Sequence, residues 1–125
     1  MKYRKLGNTG LIVSEVALGS MQFGDKMNMG NLGQEQTTRM TQLALDSGIN
    51  FIDTADVYSL GESETLLGSA LKGIRQEIVL ATKVRLPMGE NFNRSGATRV
   101  NIMREVDASL RRLQTDYIDL YQVHG

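Results

Sequence analysis

The chain has 125 residues, with 14 lysines and arginines balanced by 14 aspartates and glutamates, so its formal net charge at pH 7 is zero. That balance gives no electrostatic case for binding nucleic acid or an anionic membrane. The absence of cysteine excludes a disulfide framework and a thiolate metal cluster, and a single histidine argues against a conventional zinc site, so no metal is expected. Lys2, Arg4 and Lys5 are followed by residues 7–10, Gly-Asn-Thr-Gly, where the apolar core of a secretion signal would have to stand. Neither a signal nor a membrane span is read, and a cytoplasmic location is expected.

In chain order, residues 2–5 and 11–13 flank Gly7-Asn8-Thr9-Gly10 and predict a β-hairpin. Val16-Ala17-Leu18 before Gly19 predicts the first strand of the main sheet. From Gln34 to Asp46, Met40, Leu43, Ala44 and Leu45 recur at helical spacing, and Gly48 follows where a left-handed cap would stop a helix. Asn50-Phe51-Ile52 before Asp53 is a second strand, and a helix over about residues 63–72 follows, with an acidic start and Gly73 as its stop. Residues 78–82 before Lys83 form a third strand. The irregular stretch 85–96 holds the only proline, Pro87, and is read as a loop over the site mouth. A helix over about residues 98–113 shows an apolar stripe of Ile102, Met103, Val106, Leu110 and Leu113, with Arg104, Glu105, Asp107, Arg111 and Arg112 on its other sides. Residues 117–123 before His124 are the last strand.

Strands alternating with helices of this length imply parallel pairing with the helices outside the sheet. A doubly wound dinucleotide-binding sheet would carry a glycine-rich phosphate turn after its first strand; Gly19-Ser20-Met21-Gln22-Phe23-Gly24 lacks the GxGxxG spacing, and no GxxxxGK[ST] is present. In a (β/α) barrel, reactive groups come from the C-terminal ends of several strands, and Asp53, Lys83 and His124 each close one here, with Tyr58 just beyond the second. The fold class is therefore α/β, a (β/α)8 TIM-barrel type of which only the N-terminal half is present: residues 1–14 form a hairpin cap and residues 15–125 form four barrel strands with three intervening helices. A complete barrel needs about 250 residues. Singly, a strand-end Asp is usually a cap, a Lys is usually solvated, a loop Tyr usually packs, and a lone His is usually structural. Together at strand ends they suggest a carbonyl-reducing site. Phe23 with Met21, Met27 and Met29 makes either a substrate pocket or a flexible surface loop.

The chain resembles the aldo-keto reductase family along essentially its whole length. The resemblance is carried by Leu6-Gly7-Asn8-Thr9-Gly10-Leu11, Ala17-Leu18-Gly19, the block from Ala44 through Asp53-Thr54-Ala55-Asp56-Val57-Tyr58, and Gly61-Glu62-Ser63-Glu64. It continues with Ala81-Thr82-Lys83-Val84, Ser109-Leu110-Arg111-Arg112-Leu113, and Asp116 through His124. It implies NADPH-linked reduction of an aldehyde or ketone. Tyr58 would be the general acid, Lys83 the ammonium that stabilises its phenolate, and Asp53 the group that holds Lys83. His124 would hydrogen-bond the substrate oxygen. Gly19, Ser20, Met21 and Asp53 would lie at the cofactor, and Tyr58, His124 and Phe23 at a small-molecule carbonyl substrate. Most of the cofactor site would lie beyond residue 125, so these residues alone are expected to be inactive. Two other readings stand beside this one: a non-catalytic binding or regulatory protein of the channel β-subunit kind, and a half-barrel that self-associates through its open edges.

Overall fold

The turn between Leu6 and Leu11 folds the N-terminal segment back on itself. In the computed structural model, which describes residues 1–125, β1 (Tyr3–Lys5) pairs antiparallel with β2 (Ile12–Ser14), Arg4 opposite Val13. Leu6 N–H donates to Leu11 O across the turn, and the Thr9 hydroxyl donates to Leu6 O. Asn50 attaches this hairpin to the bottom of the main sheet: its Oδ1 accepts from Ser14 N–H at 2.8 Å and its Nδ2 donates to Ile12 O at 3.0 Å.

The main sheet is parallel, in the order β3 (Leu18–Gly19), β4 (Phe51–Asp53), β5 (Val79–Val84), β6 (Leu120–Val123). Each crossover carries one helix: α1 (Gln34–Asp46), α2 (Glu62–Ala70) and α3 (Arg99–Leu113). Strands stand side by side in chain order, with no reversal of the kind that makes the crevice of a doubly wound sheet, as in a partly built (β/α) barrel. The register sets Gly19 beside Asp53, Asp53 beside Ala81, and Lys83 beside Gln122. Alternation then sends Ile52 and Leu80 to the helix side and Asp53, Lys83 and Gln122 to the other. On the helix side, Phe23, Ile52, Leu67, Leu71, Ile78, Leu80 and Leu113 form one buried apolar cluster, each contributing about 2 kcal/mol of transfer free energy.

Helix bounds follow local chemistry. Gln36 Oε1 accepts from Gly33 N–H at the start of α1, and Gly48, at φ +90°, turns the chain out of it. Thr98 Oγ1 accepts from Asn101 N–H at the start of α3, and Gln114 leaves it at φ +54°. Inward faces differ from the apolar stripes that the sequence suggests. On α1 the buried row is Thr37, Thr41 and Ala44, while Met40 and Leu43 are exposed and border an open groove of about 520 Å³ with Leu32. On α3 the buried residues are Asn101, Glu105, Ser109 and Leu113, and Met103 is exposed. Small side chains suffice on α1 because it lies close to α2, where Gln34 Nε2 reaches Leu66 O at 3.0 Å. Glu105 can turn inward because arginines meet it there.

Two strand ends also move. Val16 and Ala17 stay outside β3, since the Ser14 hydroxyl takes the Val16 carbonyl. β6 begins only at Leu120: Arg75 stacks on the Tyr117 ring at 3.8 Å and binds both Tyr117 O and Asp119 Oδ2, and Asp119 Oδ2 takes the Leu80 N–H in place of a backbone carbonyl. Residues 85–96 contain no helix or strand and fold back on themselves, Gly96 N–H donating to Arg85 O at 2.7 Å. No helix is long and apolar enough to cross a membrane.

Candidate active site

Asp53 ends β4, Lys83 is the penultimate residue of β5, and His124 follows β6, so three neighbouring strands deliver them to one end of the sheet. Tyr58 arrives from a tight 3-10 turn after β4, where its N–H donates to Ala55 O. Lys83 Nζ donates to Asp53 Oδ2 at 2.6 Å, to Thr54 O at 2.8 Å and to the Tyr58 hydroxyl at 3.4 Å. An ammonium has three protons, and all three are committed. The His124 ring stands edge-on to Tyr58, centroids 5.9 Å apart at 84°, and its N–H backbone donates to Val84 O. Burial first, and the Lys83 charge second, push the His124 imidazole below its ordinary 6.5, so the ring is neutral at pH 7. The Arg85 side chain donates to the His124 carbonyl from a backbone held at φ +133°, a strained value for a residue with a side chain.

The residues named for the cofactor lie beside Asp53 but are not equivalent. Gly19 presents open backbone: a Cβ built there meets nothing within 4 Å. Ser20 is wholly buried and its groups are consumed, N–H by Asp53 O, carbonyl by Phe23 N–H and the Ser63 hydroxyl, and Oγ by Ser63. Of the three, Gly19 and Met21 therefore offer accessible surface. Phe23 must be corrected. It is fully buried in the apolar cluster against the sheet and does not line the open end where Tyr58 and His124 stand. An aromatic ring in one cluster with Ile52 of β4, Leu80 of β5 and Leu67 of α2 gains more from burial there than from a polar mouth. No group of three or more His, Asp or Glu side chains is arranged to hold a metal ion.

Two participants escape sequence reading: the Thr54 carbonyl, which leaves no mark in a side-chain pattern, and Gln122, whose Nε2 donates to Asp53 Oδ1 at 3.1 Å. A third feature lies behind the sheet. Glu64 is buried, its Oε1 accepting from Thr82 at 2.6 Å and Ser109 at 2.9 Å and its Oε2 from Arg112 at 2.7 Å. Glu105 is buried beside Arg94 and Arg112, at 3.6 and 3.7 Å. Asp56 is buried with both oxygens lacking a hydrogen-bond partner, and its carboxyl is pushed up to about 7, first by burial and then by the charges of Glu64 and Glu105. Burial and the same carboxylates raise the Tyr121 phenol. The polar spacing Glu64, Glu105, Arg112 was visible in the sequence, but only the packing of α2 on α3 shows that it is internal.

A parallel α/β half-barrel with a carboxylate, an ammonium, a phenol and an imidazole at the C-terminal ends of its strands defines the class of protein. The sequence pattern of the Aldo/keto reductase family matches residues 15–125, and the chain belongs to that family. Over 126 residues it is 43% identical to the aldo-keto reductase YhdN of Bacillus subtilis, covering 99% of this chain and 38% of that protein. Over 128 residues it is 39% identical to a candidate voltage-gated potassium channel subunit beta of Schizosaccharomyces pombe, covering 98% of this chain and 36% of that protein. The holo form of an aldo-keto reductase from Bacillus halodurans superposes with a TM-score of 0.81 at 43% identity, across 100% of this chain and 40% of that one. The chain thus spans about two-fifths of the length of these relatives.

Proposed function

We propose that these residues form the proton-donating half of an NADPH-dependent reductase that converts aldehydes or ketones to alcohols, with Tyr58 as general acid. The observation that carries this reading is the triple commitment of Lys83. Because Lys83 donates to the Tyr58 oxygen, the phenolic proton points elsewhere, toward the open end of the sheet. A carbonyl oxygen placed there receives that proton as hydride reaches its carbon, and the phenolate left behind faces an ammonium already in position. Asp53 keeps the ammonium in register with Tyr58. His124, neutral and edge-on to Tyr58, offers an N–H to the same oxygen and helps orient the carbonyl.

Open backbone at Gly19, the exposed side chain of Met21 and the carboxylate of Asp53 fit one flank of a nicotinamide site, and the group bound there supplies the hydride. The test is turnover of simple aldehydes by the full-length protein, followed by NADPH absorbance. Tyr58→Phe is expected to lower kcat by about two to four orders of magnitude, the range for a lost general acid; a variant retaining wild-type kcat overturns the reading. Similarity to the S. pombe channel-subunit relative favours one second reading, a non-catalytic binding or regulatory protein of the same fold. NADPH binding without any carbonyl turnover in the full-length protein is the result that would select it.

A further inference from the structure

Gln122 is the polar side chain at the strand ends that proton transfer leaves without a role. The parallel register places it beside Lys83, so both side chains leave the same face of the sheet. Tyr121 turns instead toward the buried carboxylates behind it. Gln122 Nε2 donates to Asp53 Oδ1 at 3.1 Å while Lys83 Nζ donates to Asp53 Oδ2 at 2.6 Å. Each carboxylate oxygen of Asp53 is therefore gripped by a different strand, neither of them its own.

This double grip has a chemical consequence. The terminal torsion of an aspartate is broad and roughly two-fold, so a carboxylate held at one oxygen can swing about that contact. Lys83 would follow it, because the 2.6 Å ion pair is shorter than the 3.4 Å contact to Tyr58 and dominates the ammonium's position. An amide is suited to prevent the swing. It donates without adding charge, whereas a Lys or Arg at this place would compete with Lys83 for Asp53, and an aliphatic residue would leave Oδ1 without its donor. We infer that Gln122 is a positioning residue of the reductase: it fixes the Asp53 carboxylate so that Lys83 is held against the Tyr58 oxygen. The inference rests on the reductase reading and goes beyond it to a residue outside the set that moves the proton.

The experiment uses the full-length protein with Gln122→Met, which preserves size and removes the donor, and Gln122→Glu. Gln122→Met is expected to lower kcat roughly tenfold, the scale of one hydrogen bond to a charged group, with KM for the carbonyl little changed. For Gln122→Glu, the ratio of variant to wild-type kcat is expected to rise as pH falls from about 8 to about 5, since a protonated carboxyl regains an O–H donor for Asp53. The ammonium signals of Lys83 in nitrogen-edited NMR are expected to shift or broaden in Gln122→Met, a readout that needs no turnover. A folded Gln122→Met protein with unchanged kcat and unchanged Lys83 signals overturns the inference. So does a lowered Tm with unchanged kcat, which assigns Gln122 to packing alone. Should Gln122→Met fail to fold, the pH dependence of the Glu variant decides, and a flat ratio overturns the inference. If Lys83 responds but the wild-type protein reduces no carbonyl, the positioning stands and the reductase reading falls.

Discussion

Asp56→Asn separates a buried proton from the rest of the protein's charge. Asp56 is wholly buried, faces Glu64 from α2, Glu105 from α3 and the Tyr121 phenol from β6, and has Arg112 as the compensating cation. Glu64, Glu105 and Asp56 supply three carboxylates against the guanidinium groups of Arg94 and Arg112, so the cluster is neutral only when one carboxyl keeps its proton. Burial first, and this uncompensated charge second, push the Asp56 carboxyl up to about 7 from its ordinary 3.8. A carboxyl whose folded value is raised binds its proton more tightly in the folded state, so its contribution is intact at low pH and stability declines as pH climbs from about 4 to about 7. A rise of this size corresponds to at most about 4 kcal/mol, and relaxation around the ionised group brings the loss expected between about pH 4 and pH 7 to roughly 2–3 kcal/mol. Asparagine is neutral at every pH and lacks this dependence. Urea unfolding across that range should therefore show near-equal stability of the two proteins at about pH 4 and an advantage of roughly 2–3 kcal/mol for Asp56→Asn at about pH 7 to 8. His124, whose lowered value adds stability as pH rises toward 6.5, acts with the opposite sign in both proteins and cancels in the difference. A difference that stays constant within about 0.5 kcal/mol across the range would refute the reasoning.

Arg112→Met removes the cation that touches Glu64 at 2.7 Å and Glu105 at 3.7 Å. It should cost about 3–5 kcal/mol near pH 7 and less near pH 5 in the same assay; a pH-independent loss would contradict the charge count. Gly68→Ala puts a Cβ 2.5 Å from Arg112 O and 2.8 Å from the Leu113 backbone, and a thermal melt should show about 1–3 kcal/mol of destabilisation as α2 is forced off α3. Lys83→Met should leave the fold intact by circular dichroism yet lower kcat of the full-length protein by two orders of magnitude or so; wild-type turnover would remove Lys83 from the site. The free edges of β3 and β6 predict that the 125-residue chain alone associates as its concentration rises. Light scattering that gives a monomeric mass at micromolar concentration, with a cooperative melt, would exclude it.

What could be read from the sequence depended on how local the signal was. The hairpin, the bounds of α1 and the order of strands rest on neighbouring residues, on Gly48 and on hydrophobic spacing, and the structure places them as the sequence suggests. Asp53, Lys83, Tyr58 and His124 come together because strand ends in a parallel sheet share one edge. Helix faces were less legible. Periodicity marks Ile102, Val106 and Leu110 as the inward stripe of α3, whereas the surface that meets it carries Glu64 and Asp56, so Glu105 and Ser109 face inward. Gln122 was hidden for a related reason. Its value depends on the register that sets it beside Lys83, and register between strands separated by a whole helix cannot be counted off the chain. Phe23 misled because a ring next to methionines in a loop looks like a pocket wall until the loop is seen folding under the sheet.

The single carboxylate of Glu64 also sets the order in which the chain can finish folding. Its partners lie 18 residues away at Thr82, 45 at Ser109 and 48 at Arg112. Before α3 docks, Glu64 has only the Thr82 hydroxyl, and an anion so poorly matched stays in water rather than enter the sheet. Helix α2 and β5 therefore cannot close their shared interior on their own, and the arrival of Arg112 commits all three elements at once. On the ribosome, that moment comes only after residue 112 has cleared the exit tunnel. In hydrogen exchange, the amides of α2, β5 and α3 should open together as one cooperative unit.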